Sequence, residues 1–549
     1  MGERSKLMKD FWRGGELFVW MTASGVALSL LMVAGMLGLI MINGLGQFWP
    51  GALQETTLKT QETVIGQVVG EEVIPNSITP DLPAGQRRFR YRVGNRDVFG
   101  SEYRWINAAD IVSSAHPEDL TLVERREWGP AFGRITVGVE GAATGSASGS
   151  SWTTVKTLVE RANQLRRRIE HLEREDIGSI NYRIEKARLA RHALTLSGRL
   201  SPGDAEKDQR LLDQITALER DYLTKTEALE RLHKEAGQEV LFLTVSTGRS
   251  VRLSLDQVLA VSRPNGMHWG EKLLAYVQSL WLFVSTEPRE ANTEGGIFPA
   301  IFGTVLMVFL MTLAVMPFGV MAAVYLREYA NQGLLVRLVR IAVNNLAGVP
   351  SIVFGVFGLA FFVYALGGTI DQWLFPEALP NPTFGTGGIL WASLTLALLT
   401  VPVVIVATEE GLSAVPRDFR EGSLGLGATK FETLRHVILP CALPGILTGL
   451  ILAMARAAGE VAPLMLTGVV KLAPALPLDE YLPFLHLDRK FMHLGFHIYD
   501  VGFQSPNVEA AKPMVYMTTL ILILVVVSLN WAAVRLRNRL RRRFAASAV

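Results

Sequence analysis

The stretch EGSLGLGATKFETLRHVILP, residues 421–440, decides how the chain is organised. It reads as a short helix, a glycine at 427 where the backbone can turn sharply, and a second, amphipathic helix. Pro440 then opens a further helix, because its fixed φ and missing N–H are tolerated in a first turn. On either side lie the apolar stretches Gly387 to Ala407 and Leu443 to Val470. A bilayer core needs about 20 apolar residues to cross it, so both are candidate spans and the segment is a polar helix-turn-helix between them. Physics alone leaves two readings open: an element that pushes on something, or an ordinary interfacial loop.

Four more stretches can cross: Leu17 to Ile42, Ile297 to Leu326, Ile341 to Leu366 and Val515 to Val534. The first is too long for the apolar part of a signal peptide and reads as a retained anchor. With 549 residues, 49% of them hydrophobic and 19% charged, the chain is too long for one ordinary domain and too apolar for a soluble one. The expected fold is an all-α polytopic membrane protein with six spans and a large mixed α/β insert between the first two.

Basic residues orient it. Arg4, Lys6, Lys9 and Arg13 precede the first span, and Arg327, Arg337 and Arg340 follow the second. Arg535, Arg537, Arg539, Arg541, Arg542 and Arg543 follow the last, while Gly367 to Phe384 has no lysine or arginine. The positive-inside rule puts both termini in the cytoplasm and the insert outside the cytoplasmic membrane. The arginine tail then reads as a stop signal rather than a nucleic-acid patch. Four units are expected: 1–43, the N-terminus with the first span; 44–293, the insert; 294–534, the membrane core with a loop at about 409–442; and 535–549, the basic tail.

Within the insert, Gly141 to Ser151 reads as a flexible joint. Val155, Leu158, Ala162, Leu165, Ile169 and Leu172 form one helical seam, and Leu211, Ile215, Leu218, Tyr222, Leu229 and Leu232 form another, broken by Lys225. A turn at Ser201 to Asp204 makes an antiparallel helical or coiled-coil hairpin of about 152–237. Two amphipathic helices in one chain normally cover each other, which weighs against reserving the seam for a partner. Strand-like pieces at Phe89 to Val93, turning at Gly94-Asn95, and at Leu241 to Val245, turning at Thr247-Gly248, read as halves of one small β-containing domain around the hairpin.

The 421–440 segment resembles the EAA loop of ABC importer permeases: an acidic residue, two small residues, a glycine four positions later, then Ile-x-Leu-Pro. Glu421, Gly422, Ser423, Gly427, Val437, Leu439 and Pro440 match, with Gly and Ser in place of two alanines and Val in place of Ile. Further stretches, GGIFPAIFGT at 295–304, NNLAGVPSIVFG at 344–355, GATK at 427–430 and ARAAGEVAPL at 455–464, are similar to the A-type permease of phosphate-specific ABC importers. The resemblance covers the first span and about Glu294 to the C-terminus, not the insert. It implies alternating access, with the loop docking into a cleft of a separate ATP-binding subunit dimer that uses ATP and magnesium. It also implies a related C-type permease as the other half of the pathway, a periplasmic phosphate-binding protein, and no cofactor on this chain.

Arg456 and Glu460 are four apart on one helical face, deep in the fifth span, where charge is costly. They read either as a structural pair or as a point on the substrate path. Guanidinium donors suit a tetrahedral oxyanion, and a carboxylate holds the arginine until the anion arrives. The resemblance points to the same two residues. Asn344, Asn345 and Ser351 line a cavity or serve as caps. The expected function is a permease subunit for inorganic phosphate; the alternatives are a permease for sulfate or molybdate, and a membrane sensor of phosphate status, which would need a cytoplasmic output domain.

Other chemistry is disfavoured. His493 and His497, with Asp488 and Asp500 nearby, suit an interfacial helix better than a metal site. The single Cys441 excludes an internal disulfide and is assigned to small-residue packing. No GxxxxGK[ST], HExxH or nucleophile elbow is present, so no enzymatic role is expected.

Overall fold

A computed structural model describes residues 16–73, 87–139, 152–196, 202–289, 292–505 and 508–546. Arg4, Lys6, Lys9, Arg13, the Gly141 to Ser151 stretch and Ser201 lie outside them. Among the described residues, six helices are long and apolar enough to cross a membrane. They are α1 (Glu16–Gly46), α6 (Phe298–Val324, continued to Tyr329), α8 (Ser351–Leu374), α9 (Ile389–Ser413), α11 (Lys430–Gly459) and α14 (Val508–Ala546).

α9 sits at the centre, packed between α6 and α11. Met307, Met311 and Val315 of α6, Leu396 and Val404 of α9, and Ala453 and Ala457 of α11 are buried together. Small residues set the spacing. A methyl group on Gly445 would lie 2.7 Å from Gly411 Cα, and one on Gly319 would lie 2.6 Å from Val404 Cγ1. Close approach of this kind supplies the van der Waals contact that holds helices together where lipid offers no hydrophobic gain. Three threonines inside the bundle are satisfied locally: Thr304, Thr395 and Thr400 donate to Ala300, Trp391 and Leu396 carbonyls at 2.7–2.8 Å.

Two predicted spans shift. The third span begins at Ser351, not Ile341, because Leu334–Leu346 forms a separate helix, α7, ended by Gly348 and Pro350. Its Arg337, Arg340 and Asn344 share one polar face, which a single apolar average hides. The fifth span runs Lys430 to Gly459 rather than Leu443 to Val470: the second loop helix and the membrane helix are one piece, interrupted only by a π segment, Leu434–Ile438, and the chain leaves the helix at Glu460. Pro440 therefore starts no new helix; its missing N–H falls just past the widened turn. Cys441 is exposed rather than packed.

The two strand-like pieces belong to two five-stranded antiparallel sheets in the insert. With β1 (Gln54–Leu58), β2 (Thr63–Val73), β3 (Arg87–Arg92), β4 (Tyr103–Asn107) and β5 (Ile111–Ala115), the first sheet has the order β4-β3-β2-β1-β5. The second, with β6 (Thr121–Arg125), β7 (Ala131–Val139), β8 (Glu239–Thr244), β9 (Ser250–Ser254) and β10 (Val258–Ser262), has the order β10-β6-β7-β8-β9. Both predicted turns use positive φ, at Gly94, Asn95 and Gly248. Leu53 and Ile65, from the first sheet's side, meet Leu120 and Phe132, from the second's, in one cluster.

The hairpin leaves between β7 and β8, which pair from Arg134↔Thr244 to Val139↔Glu239. One arm is α2 (Trp152–His171) and α3 (Gly178–Leu196), joined by a π segment; the other is α4 (Pro202–Gln238). Val155, Val159 and Ala162 cover the second sheet. Farther out, Leu165 and Ile169 of the first seam meet Leu229 and Leu232 of the second, and beyond them the rest of the second seam, Ile215 and Leu218, packs on Ile180, Ile184 and Ala187 of α3. Lys225, the break in the pattern, pairs with Asp176 at 3.3 Å. The α3 arm also rests on the membrane core. The Tyr182 and Tyr481 rings stack at 4.6 Å, the Tyr182 hydroxyl donates to the Leu482 carbonyl at 2.8 Å, and His192 Nδ1 meets the Glu377 carbonyl at 2.6 Å.

Replacing Tyr182 by Ala removes a stack and a hydrogen bond together worth about 1–2 kcal/mol. Hydrogen exchange should speed up across residues 479–486 while the hairpin's own amides stay protected; unchanged exchange there would show that the seat carries no load.

Candidate functional site

At the end of the bundle opposite the insert, α10 (Arg417–Gly425) follows α9 through Ala414 and Pro416. Gly427 turns the chain at φ 90°, a left-handed conformation that a side chain would strain. Thr429 then caps α11: its hydroxyl accepts from Glu432 N at 3.3 Å, and Glu432 Oε2 accepts from Thr429 N at 2.8 Å. Ser423 Oγ and Thr433 Oγ1, 2.9 Å apart, close the two helices on each other.

Apolar contacts fix the pair to the bundle. Leu412 and Val415 meet Leu434, Ile438, Ala442 and Ile446, with Val320 and Val324 of α6 against them. An ion pair reinforces this: Arg420 Nη1 lies 2.8 Å from Glu328 Oε1 at the end of α6, and Arg420 Nη2 donates to the Leu412 carbonyl at 2.7 Å. Lys430 Nζ stands 5.0 Å over the Tyr329 ring.

The predicted residues divide between two roles. Ser423 holds the turn, and Val437, Leu439 and Pro440 are half-buried where α11 leaves the loop. Glu421, Gly422 and Gly427 face outward. Beside them the apolar Phe419, Leu424, Leu426 and Phe431 are exposed, Leu426 at 91%. That patch was missed in the sequence, although four large apolar residues in a charged loop are a visible signal.

Arg456 lies in the last turn of α11, and Glu460 is the first residue beyond the helix, in extended backbone at φ −78°, ψ 138°. Glu460 is therefore a cap and not a point on the helical face, yet the pair still meets, with Arg456 Nε 3.7 Å from Glu460 Oε1. That is an ion pair longer than a hydrogen bond. After Val461 the chain continues as α12 (Ala462–Thr467). Depth follows from the helix register. Gly411 touches Gly445 and Ala407 touches Gly449, so continuing the antiparallel match puts Arg456 level with about Thr400, near the middle of α9.

Asn344 and Asn345 are exposed near the end of α7, and Ser351 opens α8. The neighbouring Leu346 and Val349 join the same apolar cluster as Ala457 and Ala458, which follow Arg456. One turn past Ser351, Gly355 packs on Pro463, just beyond Glu460.

Residues 315–542 match the family model described as the binding-protein-dependent transport system inner membrane component. A probable ABC transporter permease protein, YqgI of Bacillus subtilis, is 32% identical over 235 residues, covering 42% of this chain and 74% of the relative. The phosphate transport system permease protein PstA 1 of Mycobacterium tuberculosis H37Rv is 34% identical over 250 residues, covering 45% of this chain and 72% of the relative. The chain belongs to this ABC permease family. The matched region of the permease runs from within α6 into α14 and includes both the helical loop and the Arg456 pair, whereas the two-sheet insert lies outside it.

His493 and His497 sit on the insert's side of the permease core and are buried, at 0% and 2% exposure, so the expected interfacial helix is an interior one, α13 (Leu494–Tyr499). No cluster of three metal-ligating residues occurs among the described residues. His493 Nδ1 accepts from Gly495 N at 3.1 Å, which fixes the neutral ring, and burial pushes its pKa down to about 3. Asp500 nearby pairs with Lys471 at 3.1 Å and accepts from Asn292 Nδ2 at 3.0 Å.

Two outcomes are expected. Arg420→Ala leaves the buried Glu328 carboxylate without its partner, at a cost of about 1–3 kcal/mol, and should lower the melting temperature of the purified chain, with Arg420→Lys restoring part of the loss. His493 binds its proton only below about 3 when folded but near 6.5 when unfolded, so stability is complete above 6.5 and falls as pH drops toward 3. His493→Gln should flatten that part of the melting profile; an unchanged slope would show that another group sets it.

Proposed function

We propose that this chain is the A-type permease half of an ATP-driven inorganic phosphate importer in a bacterial inner membrane. The observation that carries the substrate is the 34% identity, over 72% of the relative's length, to a permease named for phosphate transport. In this reading both termini are cytoplasmic and the insert faces the periplasm. A related permease completes the pathway, a periplasmic phosphate-binding protein delivers the anion, and ATP and magnesium are used by a separate dimer of ATP-binding subunits. This chain binds no cofactor and performs no covalent chemistry.

The exposed Phe419, Leu424, Leu426 and Phe431, with Glu421, Gly422 and Gly427 among them, are the surface that enters the cleft of the ATPase. α11 carries the motion. Because Lys430–Gly459 is one continuous helix, a displacement at its cytoplasmic end reaches Arg456 about 40 Å away without an intervening hinge loop. There the 3.7 Å pair with Glu460 is loose enough to be exchanged. A phosphate dianion offers the guanidinium shorter, charge-assisted hydrogen bonds, and Glu460 takes the arginine back when the anion leaves. Asn344, Asn345 and Ser351 supply neutral polar groups on the adjoining wall.

The test is ATP-dependent uptake of labelled phosphate into vesicles holding the assembled complex, with sulfate as competitor. Phosphate uptake that resists sulfate and falls at least tenfold in Arg456→Ala, in a complex that still assembles, supports the reading. Carriage of sulfate would overturn the substrate, and normal transport by Arg456→Ala would remove that residue from the path.

A further inference from the structure

The helix α5 (Trp269–Ser285), between the last strand of the insert and α6, has two apolar faces but only one of them is covered. Inward, Tyr276 meets Trp49 at 5.8 Å and Phe283 meets Phe48 at 5.1 Å between ring centroids. Phe283 is buried in one cluster with Ile297 and Ala300 at the start of α6 and Ala511 and Met514 in the first turns of α14. Outward, Trp269, Leu273, Val277 and Trp281 recur every fourth residue and are all exposed, as is Leu274. That spacing puts them in a stripe along the helix.

We propose that this outer face is embedded in the bilayer leaflet on the insert's side, with lipid acyl chains and the headgroup boundary as its partner. Continuity is the first argument. The inner face is seated on the ends of α6 and α14 and on the segment that leaves α1, so the outer stripe prolongs the apolar surface that α1 exposes along nearly its whole length. Charge is the second. Glu271 and Lys272 both fall in the first turn, at the end nearer the insert, and Leu273 to Ser285 has no charged residue. Aromatic placement is the third: Trp269 and Trp281 bracket the stripe and Trp49 lies beside it, the residue type that collects where hydrocarbon meets headgroups.

With its inner face seated on the starts of α6 and α14 at the insert's side, the 17-residue α5 lies in that leaflet rather than crossing the bilayer. The consequence is mechanical. α5 joins the two-sheet body to the core, so lipid would fix the height of that body and keep the Tyr182 seat aligned with the loops below it. The inference depends on the chain being a membrane protein, and the identity of the transported ion does not enter it.

Inner-membrane vesicles containing the full wild-type chain, irradiated with a lipid-soluble aryl diazirine or with a water-soluble one, give the test through mass spectrometry of the peptide spanning residues 269–285. Labelling by the lipid-soluble reagent comparable to that of α1, with little by the other, is the expected result. Labelling mainly by the water-soluble reagent overturns the proposal. So does protection from both, which would mean that protein, such as a second permease, covers the stripe. A nitroxide at Val277→Cys in a Cys441→Ser background, compared for collision with oxygen and with a nickel chelate, must favour oxygen.

Discussion

The close approach of α9 to its two neighbours is the constraint on which the rest depends. Hydrocarbon gives two apolar helices little reason to associate, so contact must come from surfaces that fit. Gly411 against Gly445, Ala407 against Gly449 and Gly319 against Val404 bring the backbones together along α9, and the larger Met307, Met311 and Leu396 fill the space that remains. Every register in the core follows from these contacts, including the mid-membrane level of Arg456. A charged residue at that depth is tolerated only with a counter-charge or a polar lumen, and Glu460 supplies the first.

The same contacts explain how the exposed loop is both firm and apolar. Leu434 and Ile438 of α11 are buried under Leu412 and Val415, so the turn at Gly427 joins two segments already held by the core. Arg420 adds the link to α6 through Glu328. A surface carrying Phe419, Leu424, Leu426 and Phe431 in water is unfavourable for an isolated chain, and a rigid presentation lowers the ordering cost of covering it.

How much of this the sequence disclosed depends on the range of the interaction. The six spans were legible because each is a long apolar run, and the hairpin because its seams keep helical spacing, meeting at Leu165 and Ile169 against Leu229 and Leu232. Local stop signals were readable but passed over. Gly459 and Pro463 bracket Glu460 and end the fifth span there, and Gly348-Val349-Pro350 separates α7 from α8. The division of the strands into two sheets was not legible, since Phe89 and Leu241 lie in the same alternating pattern and nothing in either strand names its partner. The Arg420–Glu328 pair was hidden for the same reason: it depends on how α6 and α9 are packed. The spacing of Arg456 and Glu460 disclosed that the two side chains meet, while the local geometry, a cap at 460 and a continuous helix through 440, was not readable.

The insert is a second body whose position relative to the core has several independent supports. Its two sheets share Leu53, Ile65, Leu120 and Phe132, so they move as a unit, and the hairpin is continuous with β7 and β8 of that unit. The chain enters from α1 and leaves through α5, both at one side of the bundle, and either connection alone would allow the body to swing. The α3 arm reaches across to the loops at Glu377 and at Tyr481 to Leu482, while Arg174 pairs with Glu287 beside the exit strand. Supports on both flanks restrict rotation far more than their individual energies suggest, because any tilt must break contacts separated along the body. Arg174–Glu287 is exposed and worth little by itself; its effect lies in where it acts, beside the segment through which the body passes into α6.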